Sequence, residues 1–377
     1  MANPHRIAVV GGGVIGLSVA WRLSARHHVT VYDPAPGSGA SYAAAGMLAP
    51  AGEAWHGEES LLAAGLDSLA RWPRFAADLT SASGVDPWLT HDGTLLVGAT
   101  ADDAVEIERV SALFASHAIA AERITRSDLR IAEPALSTRV RLAVTVPGDL
   151  SVHNRRLLDA LLRALAAAEV PLLHEAVDPV AEDGRIVGVR ERGSREIRSA
   201  DVVVVAAGSR LADVAGVPPR IRASCRPVKG QILRLTGAPG LVHKTIRAYV
   251  NGVPVYIVPR RDGEIVLGAT SEELAHDTTV TAEAVHELLR TGLTLIPGLR
   301  ECEFVESVAR HRPGTPDNLP LVGPTDVDGL LISGGHFRGG VLLAPLTADT
   351  IAGHIDRTPL PDVSRFLDPH RLEGARS

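Results

Sequence analysis

Three glycines near the start of the chain have the spacing of a diphosphate-binding turn. Gly11, Gly13 and Gly16 follow a short β-branched run, 7–10, and precede a segment, 14–27, whose apolar residues recur at helical spacing. In such a turn the first glycine permits the tight bend, the second lets the backbone approach a diphosphate, and the third lets the helix pack against the strand. The alternative is a glycine-rich turn that binds nothing.

An acidic residue and the start of the helix complete this pattern. Asp33 follows the next predicted strand, 29–32, at a position where a carboxylate accepts hydrogen bonds from a ribose hydroxyl. The phosphates would lie at the N-terminus of the helix, near Val14 and Ile15, where free N–H groups and the helix dipole favour negative charge. Strand, helix and acid occur in the right order, so the sequence predicts a dinucleotide cofactor.

Three later segments favour FAD over a nicotinamide cofactor. They are the small-residue loop 38–50, the strand and turn 202–208, and the glycine-rich segment 334–343. A nicotinamide enzyme normally completes its cofactor site within one contiguous domain, whereas these segments are spread over the whole chain.

The composition limits the other functions that the chain could have. Of the 377 residues, 45% are hydrophobic and 22% charged, and the formal net charge is −6, which is typical of a soluble globular protein. Aromatic residues make up only 3%, so base stacking on aromatic platforms is not expected, and the mild acidity argues against a nucleic-acid-binding surface.

Neither a metal centre nor a membrane segment is predicted. Cys225 and Cys302 lie far apart and form no metal-binding pair or disulfide scaffold. The first apolar run begins at Ile7, too early for a signal peptide, and no run approaches the roughly 18 apolar residues of a membrane-spanning helix. We therefore expect a cytoplasmic protein.

The pattern of strands and helices predicts an α/β fold with two domains. Predicted strands cover 7–10, 29–32, 88–97, 141–146, 202–205, 232–235, 255–258, 265–268 and 330–333, and predicted helices cover 14–27, 59–79, 102–117, 155–168, 282–295 and 340–354. Pieces of a nucleotide-binding sheet thus occur at the start, middle and end of the chain. The predicted domains are a discontinuous Rossmann-like cofactor domain (1–85, 148–218 and 317–365), a mostly antiparallel β substrate domain (86–147 and 219–316) and a C-terminal tail (366–377).

Seven motifs carry a resemblance to a known family. They are VVGGGVIGL at 9–17, AAAGMLAP at 43–50, RPVKGQ at 226–231, YIVPR at 256–260, GAT at 268–270, RPGTPD at 312–317 and GHFRGG at 335–340. In this order they resemble the D-amino-acid oxidase superfamily of FAD enzymes, and most closely its glycine oxidase branch from thiamine biosynthesis. The resemblance covers essentially the whole chain. It implies a D-amino-acid oxidase or glutathione-reductase-like fold, with a discontinuous FAD-binding domain and an antiparallel β-sheet substrate domain.

The resemblance also implies a reaction and a substrate site. The reaction would be oxidation of a small amino acid, most closely glycine, to an imine that yields glyoxylate and ammonia, with O2 reduced to H2O2. Arg312 would clamp the substrate carboxylate, Tyr256 would donate its hydroxyl to the same carboxylate, and Arg338 would lie across the flavin from the substrate. A planar guanidinium suits this task because it forms two parallel charge-assisted hydrogen bonds with a carboxylate.

The remaining expected FAD contacts also come from the resemblance. Ala45, Gly46 and Met47 would line the flavin ring, the Val177 backbone would hold the adenine, and the N–H groups of Gly339, Gly340 and Val341 would face the flavin pyrimidine. Further expected contacts are Ser41, Ala207, Gly208, His336, Phe337 and Leu342. Related sarcosine oxidases tether FAD through a cysteine near the position of Arg312, and no cysteine stands there, so the FAD should be non-covalent.

Departures from the family pattern leave the substrate open. Arg310 and His311 stand where glycine oxidases commonly have Gly and Leu, and Ser271 and Pro254 replace a Met and a His that some members carry. An oxidase or dehydrogenase for sarcosine, a D-amino acid or proline, and a flavoprotein scaffold without catalysis, are the alternatives. A thiazole synthase partner and a homo-oligomer are compatible with the resemblance.

Several site residues have a structural alternative. Arg312 could be a solvated surface arginine, and Tyr256 a core aromatic of a strand. His336 could be read as a catalytic base, but a turn histidine that donates to the backbone is the preferred interpretation.

Overall fold

Short β-branched runs form most strands of this chain, and amphipathic or small-residue segments form its helices. A computed structural model of the chain describes residues 4–373. In chain order the strands are β1 (Arg6–Val10), β2 (His28–Tyr32), β3 (Met47–Leu48), β4 (Thr94–Gly98), β5 (Glu122–Arg123), β6 (Leu142–Val146), β7 (Leu150–Ser151), β8 (Leu172–Leu173), β9 (Val177–Glu182), β10 (Arg185–Glu191), β11 (Ile197–Ser199), β12 (Val202–Val205), β13 (Arg226–Thr236), β14 (Thr245–Val250), β15 (Val253–Pro259), β16 (Glu264–Gly268), β17 (Glu303–Gly314), β18 (Leu321–Pro324) and β19 (Leu330–Gly334). The helices are α1 (Val14–Ser24), α2 (Ala40–Ala43), α3 (Glu59–Ser83), α4 (Ala101–Ser116), α5 (Arg126–Ala132), α6 (Asn154–Ala167), α7 (Pro219–Ser224), α8 (Ala282–Leu295) and α9 (Ala344–Asp356), and short 3-10 helices cover Gly208–Asp213, Pro297–Glu301, Phe337–Gly339, Asp362–Phe366 and Pro369–Glu373.

The first sheet has six strands in the order β18-β19-β12-β1-β2-β8, parallel except for the β18–β19 pair. Helices α1, α3, α6 and α9 pack against one another and cover one face, and the three-stranded sheet β9–β11 covers the other. Strand β12 shows this arrangement, because Val202 and Val204 face the helices while Val203 and Val205 face the small sheet. A strand that is apolar at every position, as predicted over 202–205, is typical of such a parallel strand covered on both faces.

The second sheet has eight strands in the order β17-β13-β16-β15-β14-β4-β6-β5. All of its pairs are antiparallel except β4–β14. Its strands lie within the two predicted substrate-domain segments, and the strands of the six-stranded sheet lie within the three predicted cofactor-domain segments. The domain limits themselves stay a prediction.

Some predicted elements were wrong at their ends. The strand expected over 88–97 begins at Thr94, because Trp88 and Gly93 have φ angles of 57° and 72° and interrupt extended structure. The helix expected from 340 begins at Ala344, because a 3-10 turn precedes it and Pro345 favours the first helical turn. Strand β17 was not predicted, since its polar residues lack a period-two pattern.

Part of the predicted C-terminal tail packs on the main fold. Leu367 is buried in the core with α1 and α9, and its carbonyl accepts a 2.7 Å hydrogen bond from the Val322 N–H. Arg371 forms a salt bridge with Asp317 at 2.9 Å. The last four residues of the tail, and the first three residues of the predicted cofactor domain, lie outside the described residues.

Across residues 4–373, no helix combines the length and apolar character that crossing a bilayer requires. The same residues include no group of three or more His, Cys, Asp or Glu side chains that could hold a metal ion.

A buried carboxyl lies in the turn between β6 and β7. Asp149 is 1% exposed, and its Oδ2 accepts a hydrogen bond from the Gly52 N–H at 3.3 Å. Burial raises the pKa of Asp149 to about 7, because the nearby Arg247 compensates only part of the lost hydration and Glu53 adds repulsion.

This carboxyl makes stability depend on pH. An unfolded aspartate titrates near pH ~3.9, so between about pH 4 and pH 7 the folded protein holds a proton that the unfolded chain has lost, and stability falls as the pH rises. Replacing Asp149 with Asn removes this loss. We expect the melting temperature of Asp149→Asn, relative to the wild type, to increase from pH 4 to pH 7. A difference that does not change with pH would contradict the assignment.

Candidate active site

A cavity of about 1210 Å³ is lined by residues from both large sheets. It begins at the carboxyl ends of β1, β2 and β12, where ligands bind in open α/β sheets, and it continues under β13, β15 and β17. The predicted site residues that line it are Gly11, Gly13, Val14, Ile15, Asp33, Ser41, Ala45, Gly46, Met47, Val177, Ala207, Gly208, Tyr256, Arg312, His336, Phe337, Arg338, Gly340 and Val341. Gly16, Gly339 and Leu342 do not line it.

Two of the fingerprint glycines are required by close backbone contacts. Gly11 has a φ of 118°, and a Cβ there would overlap the carbonyl group of Ala206 after β12. A Cβ at Gly16 would overlap the carbonyl oxygen of Gly11. Gly16 therefore serves helix packing, as the fingerprint predicts for its third glycine, and not cavity lining.

The N-terminus of α1 offers N–H groups to the cavity. Among residues 4–373 no acceptor binds the N–H of Ile15 or Gly16. The Val14 N–H donates to Ser41 Oγ at 2.9 Å, so this predicted cofactor contact is engaged by a protein hydroxyl. The hydrogen bond between Ser41 and the first residue of α1 was not predicted, because neither segment has a local sequence pattern that indicates it.

Asp33 is fixed at the same end of the cavity. Its Oδ2 accepts from the Gly12 N–H at 2.5 Å and its Oδ1 accepts from the Ala35 N–H at 2.7 Å. Each oxygen keeps a further lone pair, so the carboxylate can still accept a hydrogen bond from a hydroxyl.

The segment before α9 holds a buried neutral histidine. His336 Nε2 lies 2.9 Å from the Thr347 hydroxyl, so the expectation of a backbone partner was wrong. Burial lowers the pKa of His336 to about 3, which keeps the ring uncharged near neutral pH. Its position does not favour a catalytic base, because the ring is enclosed and engaged with Thr347.

Two expected contacts in this segment need correction. The Gly339 N–H donates to the His336 carbonyl at 2.9 Å and is not free for the flavin, because the 3-10 turn uses it. Leu342 packs in the core, and its carbonyl accepts from Ser68 and Trp72. The N–H groups of Gly340 and Val341 have no acceptor within the described chain.

Arg312 and Tyr256 lie at the other end of the cavity. Arg312 Nη1 donates to the Thr270 carbonyl at 3.1 Å, and no carboxylate of residues 4–373 lies within 4 Å of its guanidinium. Burial raises the pKa of the Tyr256 phenol, although the nearby Arg312 opposes this, so the hydroxyl keeps its proton at neutral pH.

Two glycines make room for these side chains. A Cβ at Gly230, on the neighbouring strand β13, would overlap the Arg312 guanidinium. A Cβ at Gly268 would overlap the ring of its cross-strand partner Tyr256. Sequence reasoning missed both roles, although Gly268 ends a predicted strand, 265–268, where a glycine signals a close approach.

The other arginines of this region differ in their partners. Arg338 pairs with Glu58 at 2.9 Å and Arg247 pairs with Glu53 at 2.6 Å. Sequence reasoning missed Arg247, Glu53 and Glu58, whose pairing links distant segments. Arg338 lies at the cavity as expected, with its charge compensated, and its role toward the flavin stays a prediction.

The two departures on β17 point to opposite faces of the sheet. Arg310 pairs in register with Gly230 and donates from Nε to the Ser38 carbonyl at 2.7 Å. His311 pairs with Lys229 on the other face, and its ring centroid lies 5.4 Å from that of His276. Arg310 thus reaches toward the small-residue loop 38–50.

These features fit FAD. Free N–H groups at the start of α1 suit its diphosphate, Asp33 suits a ribose, and the free N–H groups of Gly340 and Val341 suit the carbonyl oxygens of its ring. Arg312 lines the same cavity.

Comparisons with known proteins agree with this assignment. Residues 6–353 match the family model described as FAD dependent oxidoreductase. A glycine oxidase from Geobacillus kaustophilus is 31% identical over 95% of this chain and 94% of its own length. The bifunctional protein ThiO/ThiG of Trichormus variabilis is 31% identical over 93% of this chain, which spans 52% of that protein.

A solved structure gives the same result. The crystal structure of glycine oxidase from Geobacillus kaustophilus superposes with a TM-score of 0.87 and 30% identity, covering 97% of this chain and 98% of that one. Because the family model matches residues 6–353 and the similarity to a glycine oxidase covers 95% of the chain, this chain belongs to the family of FAD-dependent oxidoreductases that includes the glycine oxidases.

Proposed function

We propose that this chain catalyses the FAD-dependent oxidation of glycine. Glycine loses one hydrogen from Cα and one from its amine nitrogen, and the resulting imine hydrolyses to glyoxylate and ammonia. The two electrons pass through FAD to O2, which gives H2O2. The observation that carries the proposal is Arg312, a cavity guanidinium that no carboxylate of residues 4–373 neutralises. The similarity to glycine oxidases supports the choice of substrate.

The chemistry of the clamp favours a small amino acid. Glycine has almost no apolar surface, so its carboxylate must provide most of the binding energy. The two hydrogen bonds from Arg312 would each contribute about 1.5–3 kcal/mol when shielded from water. The contact with Thr270 fixes the guanidinium plane, and the protonated Tyr256 hydroxyl can orient the same carboxylate.

Three titratable side chains that line the cavity are already engaged or enclosed. Glu53 and Glu58 are paired with Arg247 and Arg338, and His336 is buried. The reaction needs no obligatory general base if the amine enters neutral, with its Cα–H held toward the cofactor. Bound FAD supplies the acceptor for the electron pair.

The cellular setting is part of the proposal. We expect a cytoplasmic enzyme whose imine product feeds thiazole formation for thiamine, with a thiazole synthase as partner. The similarity to a bifunctional ThiO/ThiG protein supports a coupled second activity.

Anaerobic reduction of the bound flavin tests the substrate. We expect glycine to bleach the visible flavin absorbance of the purified holoenzyme faster than sarcosine, D-alanine or proline, and admission of air to release H2O2. If another amine reduces the flavin while glycine does not, glycine is not the substrate. If no amine reduces it, a scaffold without catalysis replaces the proposal.

Substitution of Arg312 tests the clamp. Arg312→Ala removes two charge-assisted hydrogen bonds, which raises the KM for glycine by about a hundredfold or more, while FAD stays bound. Arg312→Lys keeps the charge but loses the planar fork, so we expect an intermediate KM. Steady-state kinetics and flavin content measure both effects. An unchanged KM in Arg312→Ala removes this residue from the substrate site.

A further inference from the structure

A buried arginine that does not line the cavity holds the backbone at Ala45 and Gly46. The Arg260 guanidinium donates from Nη2 to the Ala45 carbonyl oxygen, and the Val152 N–H donates to the Gly46 carbonyl at 2.8 Å. Gly46 has a φ of 72°, and a Cβ there would overlap the Val152 carbonyl and lie 3.3 Å from Arg260 Nη2. Protein atoms therefore occupy one side of this segment, and the cavity occupies the other.

This hold determines the direction of an N–H group. A trans peptide directs its C=O and its N–H to opposite sides, so an Ala45 carbonyl that faces Arg260 directs the Gly46 N–H away from it. The N–H groups of Ala45 and Gly46 have no acceptor among residues 4–373, although both residues are buried and line the cavity. Buried N–H groups without partners are costly, which indicates that a ligand of the cavity accepts from them.

The ligand at this place is the redox-active part of the cofactor. The segment follows Ser41, which binds the N-terminus of α1, and Ala45 and Met47 share a hydrophobic cluster with Tyr256. The segment thus lies between the diphosphate end and the substrate end of the cavity. A flavin that reaches the substrate must pass it.

The arginines behind this segment also form a cluster of ion pairs. Arg234 is fully buried and binds Glu264 at 2.6 Å, whereas Arg260 is 3.9 Å from the same carboxylate. Glu306 is shared between Arg155 and Arg234. Three guanidinium groups thus face two carboxylates.

The remaining titratable neighbours do not cancel this excess. Burial lowers the pKa of His153 to about 4, so the ring is neutral at pH 7, and Asp262 is exposed to solvent. Burial also lowers the pKa of Arg260, to about 10, which leaves it protonated at pH 7. The cluster carries about one net positive charge.

We propose that Arg260 is a positioning residue for the cofactor: it holds the Ala45 carbonyl so that the Gly46 N–H points at the flavin, and its buried charge favours flavin reduction. The proposal rests on the dependence of this enzyme on FAD and is independent of the amine that it oxidises. Reduction adds negative charge to the flavin, and a nearby buried cation stabilises that charge more than solvent does.

Two substitutions separate the geometric effect from the charge. Arg260→Met removes both, so we expect FAD to bind the apoprotein at least tenfold more weakly and the midpoint potential of the bound flavin to become more negative. Arg260→Lys keeps the charge without the planar fork, so FAD should bind more weakly while the potential stays near that of the wild type. Fluorescence titration and dye-coupled reduction without any amine measure the two quantities.

Lys229→Met is the matched control. Lys229 is also fully buried and ion-paired, at 2.5 Å from Asp277, but it lies on the face of β13 opposite to Gly230 and does not line the cavity. We expect this substitution to lower the melting temperature without changing the flavin potential or the visible spectrum.

Glu264→Gln tests the charge in the opposite direction. It removes a negative charge from the cluster and leaves Arg260 in contact with Ala45, so the potential should become more positive. If Arg260→Met does not fold, Glu264→Gln still tests whether the buried charge favours flavin reduction. An unchanged flavin potential in Glu264→Gln would then overturn the proposal.

A purely structural role gives a different result. If Arg260→Met lowers the melting temperature as Lys229→Met does, with unchanged FAD affinity and potential, Arg260 does not position the cofactor. Since no amine is used, this outcome is distinct from a failure of glycine to reduce the flavin.

Discussion

The close approach of two backbone segments is the constraint on which the rest of the site depends. The turn after β1 passes so near the end of β12 that the Ala206 carbonyl occupies the place of a Cβ at Gly11, and the Gly11 carbonyl occupies that of a Cβ at Gly16. Only glycine allows both contacts. They bring the first turn of α1 against the carboxyl end of the sheet, where its free N–H groups face the cavity. A side chain at either position would displace the helix and with it the N–H groups that face the cavity.

Two arginines that line the cavity differ in whether a carboxylate neutralises them. Arg338 is neutralised by Glu58, so its charge is compensated before any ligand binds. Arg312 has only the Thr270 carbonyl as a partner within the described chain, and Gly230 leaves a gap for its guanidinium. An unpaired cation in a partly buried place costs desolvation energy, which an anionic ligand recovers. The unpaired Arg312 guanidinium therefore lowers the stability of the free protein and strengthens the binding of a carboxylate.

The chain by itself determined the local features of this protein. The fingerprint 11–16 could be read because glycines, a β-branched run and a helical period occur in one short segment. The strand Val202–Val205 and the helix Ala282–Leu295 have the predicted bounds, since a run of four valines and an amphipathic period are also local signals. Most of the site residues expected from the resemblance line the cavity, whereas the Arg338 partner and strand β17 did not follow from it.

Only the tertiary structure decided which of these residues meet. That Gly230 faces Arg312 depends on the register of β13 with β17, and that Ser41 binds Val14 depends on how a loop folds over α1. Arg260 reaches Ala45 only because the segment after α2 lies against the end of β15, which is more than 200 residues away in the chain. Residue types and spacing record conformational preferences over a few neighbours, whereas contacts between distant segments arise from the packing of the whole chain, which no short stretch of sequence encodes.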